Sequence, residues 1–562
     1  MKAKLIIKLF SAIIIVLVLS IGLIIFLIKS GVYNPGANRQ DGLVLPPGNM
    51  EVPVQRSYVS SGHSALRQEL LDYWCARSLP PLQEKLIVTA PRILLACLIT
   101  ESRLGEVNAY IRSLKPNGVS GSSWRLNPHG DYDFTQMALI PMIYKFDDRP
   151  DILYPETRDH LVNVMIVEKG DRFNTKVPRT FGLVEDTENH ILMTEGTRYL
   201  MNKWLVRHGE TDPLYDNQKN GMEDQLAAYL EEMVACGIYE FNSDPYLGYT
   251  LSALLNLEAF ADGPVQHLSR KLLDRMNWQY ALGSFNLRRH PPIRRQYRKH
   301  TKTELNRDYH TAAMKTWLSF YADILNIDLD LHMERGKHIA LWAAIMPYRP
   351  ADAVIDWTLA KPEPYLVKMG HGSNSCPEIY SGDPSFLLSA GGANQGRRSL
   401  ILPRPIILFS DDHKSKLSEV FHMMGPGEDF MNWNNTGVHD RFAVAAGPVR
   451  IPAGKNPLHV HENWSVFELS TELLLAAFST PDLGIMAIID GEVADAEEKL
   501  KDVIADNPET KLLDGKFVHR NGTRIAFNAT APRNLWVITS INNQMVNRKF
   551  ETWAAFTLYQ NQ

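Results

Sequence analysis

The sequence predicts a multidomain α and β protein in three parts: an N-terminal transmembrane helix, an (α/α) toroid and an antiparallel β-sandwich. A continuous apolar run near the N-terminus predicts the first part. Apolar residues spaced three and four apart predict the second, and short alternating runs between Gly, Pro and Asn clusters predict the third. The expected divisions are an anchor at 1–30, a linker at 31–61, the toroid at 62–350 and the sandwich at 351–562.

Length and composition indicate a large folded protein and argue against several classes. The chain has 562 residues, which is too long for one ordinary core. Hydrophobic residues make up 45% and charged residues 22%, as in folded proteins. The formal net charge of −4 gives no general attraction to nucleic acid, so we expect no nucleic-acid partner. The 4 cysteines form no CxxC pair, which indicates neither a dense disulfide framework nor a zinc ribbon.

The N-terminal segment is expected to be an uncleaved membrane anchor. Lys2, Lys4 and Lys8 precede the apolar residues 9–28. At about 1.5 Å per residue, a helix of this length spans roughly 30 Å, the hydrocarbon core of a bilayer. A cleaved signal peptide has a shorter apolar core and a small-x-small site, which residues 27–30 lack. The basic flank predicts a cytoplasmic N-terminus and places most of the chain outside the cytoplasm, in a periplasmic, lumenal or extracellular space.

The region 62–350 is predicted to contain about ten helices. Long polar connections lie between several of them, at 169–188, 208–222 and 286–306. Many helices with long connections favour an α-helical toroid over a compact four-helix bundle, and we find no fixed-period repeat that would indicate a solenoid. The predicted helices cover 66–74, 86–98, 134–144, 152–166, 191–206, 225–234, 249–260, 265–280, 312–325 and 338–345.

The region after residue 350 is predicted to be an antiparallel β-sandwich interrupted by one helix at 493–503. Its predicted strands cover 386–389, 399–402, 406–409, 442–445, 464–469, 473–478, 483–489, 524–527, 536–541 and 552–559.

A first candidate site lies at the start of a predicted helix, in the run Glu185-Asp-Thr-Glu188-Asn189-His190. An Asn amide and a His ring near the positive end of a helix dipole can hydrogen-bond a substrate carboxylate. Such bonds stabilise the charge that moves onto the carboxylate when the adjacent C–H is deprotonated. The alternative is helix capping, in which Asp186 or Thr187 is the cap and Glu188 or Asn189 adds local bonds.

A second candidate lies in Glu240-Phe-Asn242-Ser-Asp-Pro-Tyr246-Leu-Gly-Tyr249. Tyr246 and Tyr249 are three residues apart, so both hydroxyls can lie on one helix face. A Tyr beside an anionic substrate and a cation can act as base and then as acid. The alternative is that both are core or rim tyrosines.

The Asn189-His190 pair, followed by Tyr246-Leu-Gly-Tyr249-Thr-Leu-Ser-Ala-Leu254, resembles the toroidal polysaccharide lyases, which include alginate lyases and the heparinase II/III-like group. The resemblance implies that the Asn and His hold the uronate carboxylate and that a Tyr is the acid and the base. Tyr249 matches the second Tyr of the family pattern, and Tyr246 is the competing assignment. The resemblance also implies the toroid and sandwich that the residue pattern predicts independently. The run at 380–392 is similar to the start of the sandwich domain in heparinase II/III-like proteins.

The chain departs from the family pattern where alginate lyases have an Arg shortly before the Tyr pair, because Glu240-Phe-Asn242 stands there. Residues 288–302 offer a replacement source of positive charge. This segment contains Arg288, Arg289, Arg294 and Arg295 and no acidic residue. Inserted between two helices, it would attract a polyanionic chain, and Arg suits bidentate carboxylate or sulfate contacts. The alternatives are a solvated loop or one that faces anionic lipid.

Two further sets of residues are weaker candidates. Trp124 and Asp131 lie in a loop before a predicted helix and could line a sugar subsite, but the sequence favours the alternative that Asp131 or Asp133 caps that helix. His459 and His461 alternate on a predicted strand, so both imidazoles lie on one face. With a third ligand they would bind a structural divalent metal in the β domain, as the resemblance to heparinase II also implies. The proposed elimination itself requires no cofactor.

Three function classes remain open at this stage. The first is a polysaccharide lyase that acts on an anionic, uronic-acid-containing glycan. The second is a glycoside hydrolase on a helical toroid, with paired carboxylates drawn from Glu188, Glu240, Asp131 and Asp133. The third is a non-catalytic glycan-binding protein of the cell envelope, since fold alone does not choose among them. The sequence predicts neither the particular polysaccharide nor the oligomeric state.

Overall fold

The computed structural model describes residues 10, 13–23, 58, 64–82, 89–116, 131–177, 185–294, 304–371, 376–391, 401–402, 404–424, 436–509, 515–531, 535–554 and 557–560. Helix α1 covers residues 13–23, and its side chains are exposed. The rest of the predicted anchor, and nearly all of the predicted linker, lie outside the described residues. Within these ranges, no helix combines the length and the apolar character needed to cross a bilayer.

From residue 64 to residue 359 the described chain is mainly helical. Eight of the ten predicted helices each correspond to one observed helix, with end points shifted by a few residues. The predicted helix 152–166 is a short α-helix followed by the π-helical turn Leu161–Met165, and 312–325 divides into two α-helices joined by the 3-10 turn Ser319–Tyr321. Two additional helices, α4 and α14, were not predicted, and α4 buries only Val107, Asn108 and Ile111. The helices are α2 (Ala65–Cys75), α3 (Ala90–Ile99), α4 (Leu104–Ser113), α5 (Asp133–Lys145), α6 (Pro155–His160), α7 (Glu188–Arg207), α8 (Met222–Cys236), α9 (Tyr246–Phe260), α10 (Gly263–Gly283), α11 (Tyr309–Leu318), α12 (Ala322–Leu325), α13 (His338–Ile345) and α14 (Asp352–Leu359).

Two helices lie entirely inside the helical core. Every residue of α13 is buried, and in α3 every residue from Ala90 to Leu98 is buried. A helix that is apolar on all sides must be covered on all sides, and these helices pack against α2, α5, α9 and α11. Any polar side chain on α3 or α13 is therefore removed from water and needs an explanation.

The described chain from residue 365 onward is mainly antiparallel β-structure, with one helix, α15 (Ala496–Asp506), close to the predicted position. Its strands are β2 (Tyr365–Met369), β3 (Glu378–Asp383), β4 (Phe386–Gly391), β5 (Ile401–Leu402), β6 (Arg404–Phe409), β7 (His422–Met423), β8 (Thr436–His439), β9 (Phe442–Ala445), β10 (Val449–Arg450), β11 (His459–His461), β12 (Trp464–Glu468), β13 (Leu473–Ser479), β14 (Gly484–Asp490), β15 (Lys516–Val518), β16 (Arg524–Phe527), β17 (Ile538–Ile541), β18 (Gln544–Met545) and β19 (Thr557–Gln560). Strand β1 (Ile293–Arg294) comes from the helical region and pairs with β5.

Among the described strands, two sheets dominate. A 7-stranded sheet has the order β10-β7-β6-β4-β3-β2-β19, and a 6-stranded sheet has the order β11-β12-β13-β14-β9-β8. A 4-stranded sheet, β15-β16-β17-β18, contributes Phe517, Ile525 and Ile538 to the core of the two larger sheets. The molecule is therefore a multidomain arrangement of helices followed by antiparallel sheets.

The 7-stranded sheet is buried on both faces. In β2, Tyr365 and Val367 belong to the helical core, whereas Leu366 belongs to the core shared with the 6-stranded sheet. In β4, Leu387 and Leu388 divide in the same way. This follows from the two-residue period of a strand, and it explains why these strands are continuously buried rather than alternating. The helical and β regions thus share a broad packed junction.

A disulfide joins Cys75, at the end of α2, to Cys97 in α3. The other two cysteines, Cys236 and Cys376, are free thiols. One disulfide is consistent with the expectation that the chain lacks a dense disulfide framework.

Candidate active site

The start of helix α7 is tied to the loop that precedes α9. Glu188 Oε1 accepts a hydrogen bond from the backbone N–H of Glu240 at 2.7 Å. The amide nitrogen of Asn189 donates to Thr187 Oγ1 at 3.0 Å and to the Glu240 carboxylate. Thr187 occupies the N-cap position, but its side chain makes no capping hydrogen bond. The polar residues at this helix start therefore bridge two segments instead of capping one helix.

These contacts define what Asn189 can offer a ligand. Its side chain is fully buried, and both amide hydrogens are used by Thr187 and Glu240. The remaining atom, Asn189 Oδ1, has no hydrogen-bond partner within the described part of the chain. For Asn189 to donate to a substrate carboxylate, that carboxylate must replace Glu240 as the acceptor.

His190 lies at the edge of this network and is oriented by Asp133, the first residue of α5. His190 Nδ1 lies 2.6 Å from Asp133 Oδ2, and both side chains are mostly but not completely buried, with 18% and 11% of their surfaces exposed. Phe134 contacts the imidazole edge-to-face, with ring centroids 5.3 Å apart. A carboxylate on one ring nitrogen fixes the orientation of an imidazole and directs its other nitrogen outward.

Tyr249, one turn into α9, lies at the centre of an aromatic and cationic cluster. Its ring stacks on His338 with centroids 4.0 Å apart and meets Phe134 edge-to-face at 4.3 Å. The guanidinium carbon of Arg92 lies 5.8 Å from the Tyr249 ring centroid. Tyr249 itself is half-buried. The helices α3, α5, α9 and α13 thus bring a phenol, an imidazole and a guanidinium together.

Arg92 is the unusual member of this cluster. It is only 3% exposed, and in the described residues neither its Nε nor its Nη2 has a hydrogen-bond partner. Burial lowers the pKa of Arg92, whereas the phenols of Tyr249 and Tyr309 act in the opposite direction. A buried guanidinium with so few partners is costly, so its position beside two phenols needs a functional explanation.

Tyr309 and His338 complete the cluster on its other side. Their rings lie 5.2 Å apart, and burial, followed by the charge of Tyr249, raises the pKa of Tyr309. Burial and the nearby charge of Arg92 hold the pKa of His338 well below 6.5, so this imidazole is neutral at physiological pH. Gly248 allows the close approach, because a Cβ there would collide with Tyr309 and lie 3.1 Å from His338 Nε2.

Sequence reasoning missed Arg92, Tyr309 and His338. Arg92 had a recognisable signal, since it is the single charged residue in the ten-residue apolar helix Ala90–Ile99. His338 similarly begins a helix of otherwise apolar residues. Nothing local distinguishes Tyr309, which depends on the tertiary packing of α11 against α9 and α13.

Tyr246 lies on the same helix as Tyr249, whereas Asn242 belongs to the loop before that helix. Tyr246 is the first residue of α9 and is half-buried. Asn242 faces the β region instead: its amide donates to Glu378 Oε1 at 2.6 Å and to the carbonyl of Pro292 at 3.1 Å. Glu240 and Asn242 are two residues apart in sequence, but Glu240 contacts the start of α7 and Asn242 contacts the β region.

The three described arginines of the basic segment, Arg288, Arg289 and Arg294, are buried rather than solvated. Arg288 is 2% exposed and bonds Asp412 at 2.7 Å, together with the carbonyls of Lys414 and Ser410. Arg289 pairs with Asp308 at 3.1 Å and donates to Asn242. Arg294 is also buried and lies over the ring of Tyr239 at 4.1 Å. The Arg288 contacts join the helical and β regions, and none of these contacts supports a polyanion-binding role. Arg295 and Trp124 lie outside the described residues.

The best-placed metal ligands are not the predicted ones. His459 and His461 are exposed on strand β11. In the ranges that the structure describes, the group of three residues able to hold a metal ion is Asp131, Asp133 and His190, whose ligand atoms lie within 4.8 Å of one another. A metal in the β domain stays a prediction.

Comparison with protein-family models, with curated proteins and with solved structures found no match for this chain. The resemblance to toroidal lyases thus rests on the residues named above.

Proposed function

We propose that this protein is a polysaccharide lyase that cleaves a uronic-acid-containing glycan by β-elimination. The observation that supports this most is the position of Arg92, a buried guanidinium beside the phenol of Tyr249. The sequence pattern lacks the cation that the family places near its Tyr pair. Arg92 supplies one from a different helix, which resolves the main weakness of the resemblance.

In the proposed reaction Tyr249 is the acid and base. Its phenolate removes the proton from C5 of the uronate, and the electron pair of that C–H bond forms the C4–C5 double bond. The C4–O bond to the next sugar then breaks, and the leaving oxygen takes a proton from the phenol. Arg92 attracts the negative charge on the Tyr249 oxygen in surroundings that exclude water, where such attraction is strong.

The substrate carboxylate is assigned to His190 and Asn189. Deprotonation next to a carboxylate shifts charge onto its oxygens, so hydrogen-bond donors there lower the barrier. Asp133 holds the His190 ring in place at 2.6 Å. Asn189 joins when the incoming carboxylate takes the amide hydrogen that Glu240 accepts in this structure. Tyr246 remains the competing acid and base because it is half-buried at the start of the same helix.

The wider assignment follows the same proposal. The helices α2 to α14 are assigned to an (α/α) toroid, and the two large sheets to its sandwich domain. The chain is proposed to be anchored by its N-terminal segment, with the bulk outside the cytoplasm. The Cys75–Cys97 disulfide supports that location, because disulfides persist in oxidising compartments and are rare in the cytosol.

The hydrolase alternative has one supporting observation. Asp131 and Asp133 have carboxylate oxygens within 4.8 Å of each other, close to the separation of roughly 5 Å found in retaining glycosidases. However, these residues are neighbours in one segment, and a glycosidase needs carboxylates that flank the bond. Glu188 and Glu240 are buried in contacts with each other and with Asn189. Elimination therefore accounts for more of the cluster.

The test is to incubate the protein with a panel of uronic-acid polysaccharides and record ultraviolet absorbance together with new reducing ends. Elimination creates an unsaturated uronate that absorbs in the ultraviolet, whereas hydrolysis creates reducing ends alone. We expect both signals to rise together on at least one glycan. New reducing ends without the chromophore would contradict the lyase hypothesis and support the hydrolase. Binding without cleavage would support a non-catalytic glycan-binding protein.

A further inference from the structure

A polar cavity lies at the junction of the helical and β regions. Its walls come from the end of α8, the loop that follows it, the start of α9, helix α10 and the segment after it, the start of α11 and the strands β2 and β3. The polar groups that line it are Asn242, Arg275, Gln279, Arg289, His310 and Glu378. Ligand sites occur preferentially at such domain junctions. Whether this cavity can bind a charged ligand depends on which of its charged groups are already paired within the protein.

Most of the charged groups are already neutralised by the protein. Arg289 pairs with Asp308 at 3.1 Å. Glu378 accepts hydrogen bonds from Asn242 at 2.6 Å and from Tyr380, and it lies 2.7 Å from His371 Nε2. His310 is uncharged, because burial lowers its pKa to about 3.

Arg275 is the exception. Its guanidinium donates to the carbonyl oxygen of Val234, which is neutral. Within the described residues it forms no ion pair with a carboxylate. Burial lowers the pKa of Arg275, and the nearby Cys236 acts in the opposite direction. A partly desolvated guanidinium at the wall of a cavity, with one backbone carbonyl as partner, favours an anion in that cavity.

The size of the cavity limits that anion. The cavity volume is about 30 Å³, and one buried water needs roughly 10–15 Å³. The interior thus holds about two waters, or one carboxylate group of similar size. A sugar ring attached to that carboxylate has to remain at the mouth.

The cavity is distinct from the Tyr249 cluster. Leu247 lines the cavity, whereas Tyr249 lies two residues further along α9. Two residues correspond to about 200° of rotation at 3.6 residues per turn, so these side chains leave the helix on nearly opposite sides. The junction cavity and the Tyr249 cluster therefore lie on opposite sides of the start of α9.

We propose that the junction cavity is a second anion site, in which Arg275 binds the carboxylate of a small organic acid or of a uronic acid sugar. The inference that the carboxylate belongs to a sugar rests on the proposed lyase function. The inference that the cavity binds a carboxylate is independent of that function.

The experiment is calorimetric titration of the full chain with glucuronate, acetate and neutral glucose. Glucuronate is expected to bind, and glucose at least about tenfold more weakly, since a charged hydrogen bond contributes that much. Arg275→Gln is expected to weaken glucuronate binding by about tenfold, and Arg275→Lys by less. The matched control is Lys271→Gln, which removes one positive charge from an exposed position of the same helix and leaves binding unchanged.

Two comparisons of binding affinity test the proposed site: acetate against glucuronate, and Arg92→Met against Arg275→Gln. Equal binding of acetate and glucuronate would assign the site to simple carboxylates, and tighter glucuronate binding would assign it to sugars. Both support the cavity. Loss of binding in Arg92→Met but not in Arg275→Gln would place the ligand in the Tyr249 cluster and overturn the inference, as would no binding at all. Because no turnover is measured, this outcome is independent of whether the protein eliminates, and far-ultraviolet circular dichroism confirms that the variants fold.

Discussion

Arg92 and Arg288 are both buried, with 3% and 2% of their surfaces exposed, but they have opposite surroundings. Arg288 is satisfied by a carboxylate at 2.7 Å and by three backbone carbonyls. Arg92 lies against the phenol of Tyr249, and two of its nitrogens find no partner in the described chain.

This difference separates a structural arginine from one available for chemistry. Burying a charge is costly unless it is paired, and Arg288 offsets that cost with hydrogen bonds that join the helical and β regions. For Arg92, the free-energy cost of burying the charge is not offset in this way. A residue that destabilises the fold and is adjacent to a candidate acid and base is typical of a functional site, where stability is commonly sacrificed.

The largest effect is expected at Tyr249. Tyr249→Phe removes only the hydroxyl, so it should lower the elimination rate by roughly 10²–10⁴-fold, the usual contribution of a general acid or base. The thermal unfolding midpoint should change little, since the ring contacts remain. Tyr246→Phe is the matched control and should retain activity within about tenfold. The reverse ranking would assign the chemistry to Tyr246.

A pair of substitutions tests the two arginines directly. Arg92→Met should lower the elimination rate by about 10²–10³-fold and leave the free energy of unfolding unchanged or higher, because it removes a poorly paired buried charge. Arg288→Met should lower the free energy of unfolding by about 2 kcal/mol, because it breaks a charged hydrogen-bond cluster, with little change in rate. Urea unfolding and initial rates measure the two effects. Equal destabilisation by both variants would remove the distinction.

A smaller effect is expected at Asp133. Asp133→Asn keeps the size of the side chain but removes the carboxylate that orients His190. Misplacement of one catalytic group should cost up to about a hundredfold in rate. If Asp133 acts only through His190, then Asp133→Asn in a His190→Ala background should have no additional effect on the elimination rate. An additional loss in the double variant would assign Asp133 a role of its own.

The smallest predicted effect is a pH dependence of stability at Glu195. Burial raises the pKa of Glu195 to about 7, against a lowering effect of Arg198. The folded state therefore holds a proton that the unfolded state releases near pH 4.5. The stabilising contribution is complete below that value and is lost as the pH rises through about 7. Glu195→Gln should flatten this part of the stability profile in urea unfolding, and an unchanged slope would contradict the assignment.

The regular elements were predictable because their apolar spacing is local. The predicted helix 338–345 matches α13 at both ends. Strands β2 and β3 were missed because both faces of their sheet are buried, so neither strand shows the alternation of a half-exposed one. Helix α4 was missed because it buries little apolar surface.

The site was only partly predictable for a different reason. His190 and Tyr249 of the candidate site could be proposed from the sequence because they belong to short sequence patterns. The cation was sought in residues 288–302, where arginines are dense, but among the described residues of this segment Arg288 is bound to Asp412 and backbone carbonyls of the β region, and Arg289 to Asp308 and Asn242. Arg92 comes from a helix 157 residues before Tyr249, and no local pattern links the two. Only tertiary packing, with α3 against α5, brings the Arg92 guanidinium near Tyr249 of α9.

The central claim is that the glycosidic bond breaks without the addition of water. Mass spectrometry of the fragments from one defined uronic-acid oligosaccharide tests this directly. Elimination predicts that the two fragment masses add up to the mass of the parent, with the unsaturated fragment lighter by one water than its hydrolytic counterpart. Fragments whose masses add up to the parent plus one water would contradict the elimination and assign the cluster around Tyr249 to another reaction.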